Sequence, residues 1–171
     1  MIGNRAMATA PTFLIVLATA LALISLGGGL YEFSVLDPAW PDRPDIIQPG
    51  RGGVSRRRFW IAAHVAFELV LVASLVVVWS KPEVRTPLLV ALGSHAVMRI
   101  WSALYFIPKA LAFEKADPAT FDARAARRWT RRSLLRLPLD MITCGAMLAA
   151  LVTATSAASQ PEKHVMGSRP H

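Results

Sequence analysis

The stretch FWIAAHVAFELVLVASLVVVW, from Phe59 to Trp79, decides the fold of this chain. As an α-helix it is long enough to cross a hydrocarbon layer of about 30 Å. Trp60 and Trp79 lie near its two ends, where tryptophan anchors a helix at the membrane interfaces. His64 and Glu68 interrupt the apolar run. The stretch therefore predicts a transmembrane helix that carries ionisable groups inside the bilayer.

Three further apolar segments have similar length and character. Together with the quoted stretch they predict membrane spans over residues 12–33, 59–79, 87–107 and 133–155. A proline follows each predicted end, where helices stop: Pro38, Pro82, Pro108 and Pro161. The chain of 171 residues is 54% hydrophobic yet has a net charge of +8, which is typical of a small polytopic membrane protein with basic loops. We predict an all-α protein, a single membrane domain over residues 1–171 that folds as a four-helix transmembrane bundle.

The connections between the predicted spans differ in character. Residues 34–58 are rich in Pro, Gly and Arg, which predicts an irregular loop that could act as a lid. Residues 108–132 form a basic connection, in which a short amphipathic helix is expected from residue 117 onwards, with Asp117 as N-cap. Such a helix is suited to an anionic lipid leaflet, and a solvated connector is the alternative. Residues 156–171 are predicted to be a disordered tail.

The distribution of basic residues predicts the orientation of the bundle. Thirteen Lys and Arg residues lie in the two long connections or at their edges, against five on the opposite side. The positive-inside rule then places both long loops in the cytoplasm and both termini outside, in a membrane that we expect to be the bacterial cytoplasmic membrane. The arginine clusters adjoin apolar spans, which argues against nucleic acid as a partner and for lipid head groups. The apolar exterior would permit a homo-oligomer without requiring one, and the single cysteine, Cys144, excludes an intrachain disulfide.

Ionisable residues in the predicted spans locate a candidate site. A charge near a helix centre costs at least about 2.5 kcal/mol in hydrocarbon, so such residues normally face each other, a cavity or a ligand. Counting 1.5 Å per residue, polar groups from all four spans converge on the half of the bundle next to the long loops. The predicted catalytic residues are His64, Glu68, His95, Arg99, Glu32 and Asp140. Two of them have a simpler interpretation, because Glu32 could be a solvated interfacial residue and Asp140 could pair with Arg136 on one helix face.

An enzyme acting on a lipophilic small molecule is the first interpretation of this site. A buried His–Glu pair, His64 with Glu68, supplies a general base, and Arg99 could stabilise a developing oxyanion. Residues on the same segment of the third span would bind a flat substrate: Trp101, Ser102, Tyr105 and Phe106.

Two segments carry a resemblance to a known family. The stretch GLYEF at residues 29–33, which runs on to PAW at 38–40, and the stretch RIWSALYFIP at residues 99–108 are similar to those of the anthrone oxygenase-like family of small four-helix membrane proteins. The resemblance implies oxygenation of anthrones to anthraquinones in aromatic polyketide biosynthesis, without a bound cofactor. It further implies that a carbanion forms and reacts directly with molecular oxygen. It transfers no residue roles to this chain.

Two other interpretations remain open from the sequence. His64, Glu68 and His95, with Glu32 as a further acid, would make a two-His, two-carboxylate site for iron, copper or zinc. The familiar di-iron spacing is Glu-x-x-His, whereas this chain has His-x-x-x-Glu. Alternatively, the protein is a non-catalytic membrane subunit or a proton-coupled carrier.

Overall fold

A computed structural model describes residues 2–158 of the chain, with side chains from residue 10 to residue 157. The described residues form helices joined by turns and short irregular links, with no strand. Four long helical segments are apolar enough to span a membrane, as predicted, and we name them span 1 (Ala10–Ala39), span 2 (Arg56–Val77), span 3 (Pro82–Lys115) and span 4 (Ala123–Ala157). Their helices are α1 (Ile2–Tyr31), α2 (Asp37–Ala39), α3 (Arg56–Val77), α4 (Pro82–Trp101), α5 (Ile107–Lys115), α6 (Ala123–Ser133) and α7 (Leu137–Ala158).

Spans 1 and 3 continue past the prolines that were expected to end them. A π-helical turn, Glu32–Leu36, joins α1 to α2 just before Pro38, and a second one, Ser102–Phe106, joins α4 to α5 just before Pro108. A proline ring clashes with the carbonyl four residues earlier and leaves it without a donor, and the wider π turn absorbs this defect. The prediction that these helices stop at Pro38 and Pro108 was therefore wrong. Pro82 lies past the end of span 2, as expected, and is also the first residue of α4.

Span 4 also begins earlier than the sequence suggests. Helix α6 passes into α7 through one 3₁₀ turn, Leu134–Arg136, so the expected amphipathic helix is the first part of the span. Its N-cap is Asp122, which accepts from the backbone amide of Ala125, whereas Asp117 caps only a 3₁₀ turn. The apolar face of α6 packs inside the protein through Trp129, so it is not free to lie on a lipid leaflet. At the far end α7 extends to Ala158; Pro161 and the rest of the predicted tail lie outside the described residues.

Span 4 is central to the packing of the bundle. It packs against spans 1 and 3, and span 2 packs mainly against span 1, whereas spans 2 and 3 touch each other much less. The core contains fully buried Ile15, Leu71, Leu88 and Met147. The outer faces carry exposed aliphatic residues along their length, which fits a lipid environment. The protein is thus a membrane-embedded helical bundle.

The loop between spans 1 and 2 forms an ordered cap over one end of the bundle, which we call the basic end. It contains two 3₁₀ turns, Pro44–Ile47 and Pro49–Arg51, rather than irregular chain. Trp40 and Ile47 are completely buried and pack with Phe106, Ala126 and Trp129, a cluster that we call the aromatic plug. Gln48 fastens the loop because its amide donates to the carbonyls of Phe113 and Ala116 at the end of α5.

Candidate functional site

A cavity of about 230 Å³ lies at the basic end of the bundle, between the aromatic plug and the apolar core. All four spans line it. Span 1 contributes Glu32, span 2 contributes Arg56 and His64, and spans 3 and 4 contribute Ser102 and Asp140 among others. The remaining wall is largely apolar, with aromatic rings from Trp60, Phe106 and Trp129. A mostly apolar cavity with a few convergent polar groups is the usual form of a small-molecule site.

Glu32 anchors one network of charges at the cavity wall. Its carboxylate accepts from Nη1 of Arg56 at 3.0 Å and from Nε1 of Trp60 at 2.7 Å. Nη2 of Arg56 lies 3.8 Å from Oε1 of Glu114, and the guanidinium lies 5.6 Å from the ring centres of both Trp40 and Trp129. Glu32, Arg56 and Glu114 are all buried. Nε of Arg57 lies 3.6 Å from Oε2 of Glu114, so two guanidinium groups balance two carboxylates, and the network fastens spans 1, 2 and 3 together.

Glu68 anchors a second network, which joins spans 2 and 3. Its Oε1 accepts from Nε of Arg99 at 2.9 Å and lies 3.2 Å from Nε2 of His95. The side chains of Arg99 and Glu68 are 35% and 39% exposed, although both lie well inside the spans, while His95 is buried. Arg99 also lines the cavity, whereas Glu68 and His95 do not.

His64 lies between the two networks and belongs to neither. Its ring stacks on Trp60 at 5.3 Å between centroids and meets the His95 ring at 5.4 Å. The side chain is buried and lines the cavity, yet Nδ1 has no hydrogen-bond partner among the described residues. A buried polar atom left without a partner costs about 1–3 kcal/mol, so Nδ1 calls for a partner that the described chain does not supply. Nδ1 itself is almost completely buried, so a molecule in the cavity would meet another part of the imidazole ring.

Arg136 and Asp140 bring further polar groups to the same cavity. Nη1 of Arg136 donates weakly to Oγ of Ser102 at 3.3 Å, and the guanidinium lies 4.5 Å from the centre of the Phe106 ring. Within the described residues no carboxylate lies in ion-pair distance of Arg136, and no donor bonds to Asp140. The expected alternative, a simple Arg136–Asp140 surface pair, is therefore not formed. Arg136 is left as a cationic hydrogen-bond donor facing the cavity.

The cavity brings together only part of the predicted site. Of the predicted catalytic residues, His64, Arg99, Glu32 and Asp140 line it, while Glu68 and His95 support it from outside. Of the predicted substrate-binding residues, Ser102 and Phe106 line it. Trp101 instead packs against the outer side of Phe106, and the hydroxyl of Tyr105 accepts from Arg132 away from the cavity.

The predicted metal set is not assembled. No group of three or more His, Cys, Asp or Glu side chains between residues 10 and 157 is placed to hold a metal ion. Glu32 is engaged by Arg56 and Trp60, and Glu68 is engaged by Arg99. Because each acid already meets an arginine, the set of His64, Glu68, His95 and Glu32 does not fit an iron, copper or zinc site.

Sequence reasoning missed Arg56, Glu114, Trp60 and Trp129 as site residues. Arg56 was counted among the loop arginines, although it precedes Trp60 by four residues and His64 by eight, which places all three near one helix face. Glu114 was assigned to the loop because the third span was expected to end before Pro108. Helical continuation through Pro108 is what carries Glu114 to the cavity.

No protein-family model matches this chain, and no curated protein or solved structure is significantly similar to it.

Proposed function

We propose that this chain is an integral membrane enzyme that oxidises a lipophilic aromatic molecule in the manner of an anthrone oxygenase. The observation that carries the proposal is the imidazole ring of His64, which lines a cavity walled by aromatic rings and forms no hydrogen bond through Nδ1 among the described residues. Arg136, a cationic donor with no carboxylate at ion-pair distance among the described residues, lines the same cavity. A base and a positive charge in an apolar space are the groups needed to remove a proton from a carbon that is conjugated, through aromatic rings, with a carbonyl group.

In the proposed reaction, the imidazole of His64 accepts a proton from the methylene carbon of an anthrone. Negative charge passes to the ketone oxygen, where the guanidinium of Arg136 stabilises it. The carbanion adds molecular oxygen and takes a proton back from His64, which gives a hydroperoxide. Loss of water then leaves the second carbonyl, so one anthrone and one O₂ yield one anthraquinone and one H₂O. Arg99 is less suited to hold the oxyanion because Glu68 already binds it.

We further propose that the basic end faces the cytoplasm of a bacterial cell, with both termini on the outer side. The support is the count of thirteen basic residues in or beside the two long connections against five on the opposite side. A membrane-impermeant thiol reagent should then label a cysteine at Arg51 only in inverted vesicles, and one at Lys81 only in right-side-out vesicles. The reverse pattern would overturn this orientation.

Turnover of anthrone by the purified protein in lipid nanodiscs tests the enzymatic proposal. The assay follows anthraquinone absorbance together with oxygen uptake, which should agree one to one. Removing a general base typically costs 10²–10⁴-fold, so we expect His64→Ala to lower kcat by about that factor. Arg136→Gln should also lower kcat, whereas Ser74→Ala, a buried change outside the cavity, serves as the control.

Two results would contradict the proposal. One is no turnover above the uncatalysed oxidation by the intact protein. The other is full turnover by His64→Ala, which would mean that another group removes the proton.

A further inference from the structure

Two ionic contacts between spans 2 and 3 frame a gap in the wall of the cavity. At the basic end, Arg56 and Arg57 of span 2 approach Glu114 of span 3, at 3.8 Å and 3.6 Å. Deeper in the membrane, Glu68 of span 2 meets Arg99 of span 3 at 2.9 Å. At 1.5 Å per residue, Arg57 and Glu68 are about 16 Å apart along the helix. Between these two contacts, spans 2 and 3 have few contacts with each other.

The cavity wall is exposed in this gap. Ile61 of span 2 and Ile107 of span 3 both line the cavity, yet they are 62% and 42% exposed. On the other sides of the cavity, Glu32, Ser102 and Trp129 are buried. The exposed part of the cavity wall therefore lies between Ile61 and Ile107, next to Trp60 and the membrane interface.

The face of the cavity beneath the loop is closed, whereas Arg57, which lines the cavity at the edge of span 2, is 60% exposed. Trp40 and Ile47 of the aromatic plug have no exposed surface, and Gln48 fixes the loop to the end of α5. Entry through the face beneath the loop would require the plug to unpack, including two completely buried side chains.

We propose that the ligand of the cavity enters sideways from the bilayer, through the window between Ile61 and Ile107. The ligand class is then a lipophile dissolved among the acyl chains, flat enough to pass between two helices. The apolar rim favours such a molecule, and the Glu68–Arg99 pair at the inner edge offers a polar contact to a carbonyl or hydroxyl group that passes. This inference rests on the proposed function only in requiring that the cavity takes a ligand.

Labelling of a cysteine inside the cavity tests the window without any turnover. In a Cys144→Ala background, Ser102→Cys places a thiol in the cavity and Ser74→Cys places one at an equally buried position outside it. The protein in phosphatidylcholine vesicles is treated with N-phenylmaleimide, which dissolves in the bilayer, or with a sulfonated maleimide, which is added on both sides and stays in water. We expect N-phenylmaleimide to label the Ser102→Cys thiol much faster than the Ser74→Cys thiol, and faster than the sulfonated reagent labels either.

Narrowing the window should slow this labelling. Adding Ile61→Trp to the Ser102→Cys variant should reduce the rate about tenfold, which corresponds to about 1.4 kcal/mol in the barrier. Val65→Trp, on the lipid-facing side of the same helix but away from the cavity, is the matched control and should leave the rate unchanged.

Three outcomes would overturn the inference. Equal labelling of Ser102→Cys and Ser74→Cys would show that the cavity is not connected to the bilayer. Faster labelling by the sulfonated reagent would place the entry on the aqueous side, and an unchanged rate in the Ile61→Trp variant would place it elsewhere. A functioning window in a protein that fails to oxidise anthrone would refute the proposed reaction alone.

Discussion

Replacing Glu32 by glutamine should destabilise the bundle more than any change on its surface. The substitution removes the negative charge that faces Arg56 at 3.0 Å, in a pair whose side chains are only 7% and 9% exposed. Leaving one member of a buried ion pair without its partner costs about 3–5 kcal/mol. Because Glu114 lies 3.8 Å from the same guanidinium and glutamine still offers an oxygen to Trp60, we expect the lower limit, about 3 kcal/mol. For a chain of this size that corresponds to a fall of about 6–12 °C in the unfolding temperature.

Thermal unfolding can be followed through the reaction of the buried Cys144 thiol with a dye. A dye that fluoresces on reaction with a thiol reports unfolding during a temperature ramp, because Cys144 is the only cysteine and is buried in the folded protein. In a double-mutant cycle, Glu32→Gln and Arg56→Met should show a coupling of about 2 kcal/mol, since the second change removes the charge that the first leaves unpaired. The exposed pair of Arg43 and Asp45 serves as control, and its cycle should show no coupling. Additive effects of Glu32→Gln and Arg56→Met would refute the reasoning.

Two further predictions concern a close helix contact and a helix cap. A Cβ at Gly28 would lie 2.5 Å from the Phe59 ring, whereas one at Gly27 would meet nothing within 4 Å. We therefore expect Gly28→Ala to unfold at a lower temperature than Gly27→Ala, and we expect Phe59→Ala to remove the difference. Equal unfolding temperatures of the two glycine variants would contradict this prediction. Bonding to the Ala125 amide lowers the pKa of Asp122, so its contribution to stability is complete above the ordinary carboxyl pKa and is lost as the pH falls through the lowered value. Unfolding temperatures measured from pH 6 to pH 2 should therefore fall less steeply in Asp122→Asn than in the natural chain, and parallel curves would rule out a role for this cap.

The sequence predicts the four spans reliably because apolar runs of about 20 residues have few competing explanations. It misplaces their ends for a specific reason. Pro38 and Pro108 are interpreted as stops, since proline normally ends a helix, but a π turn before each one lets the helix continue. Nothing in the local sequence distinguishes a proline that ends a helix from one that a π turn accommodates. The end of a membrane helix is decided by the tertiary packing beyond it, here by the aromatic plug.

The misplaced span ends also concealed several residues of the candidate site. The depth of His64 and Arg99 follows from counting residues along a span, so these residues were found. Arg56 and Glu114 lie on helical turns that were assigned to loops, so their charges were treated as solvated. As a general base, Glu68 was assigned to His64 on its own helix, whereas it bonds to Arg99 and His95 on the neighbouring span.

The polar residues inside the bundle fall into two groups, those that meet an opposite charge and those that do not. Glu32, Glu68 and Glu114 each meet an arginine, so the cost of placing them between helices is offset inside the protein. Three other residues lack an ion pair in the described chain: Nδ1 of His64 forms no hydrogen bond, Asp140 accepts none, and Arg136 donates only to the uncharged oxygens of Ser102 and Ser133. All three line the same cavity, and this convergence argues that they are kept for a ligand that enters it.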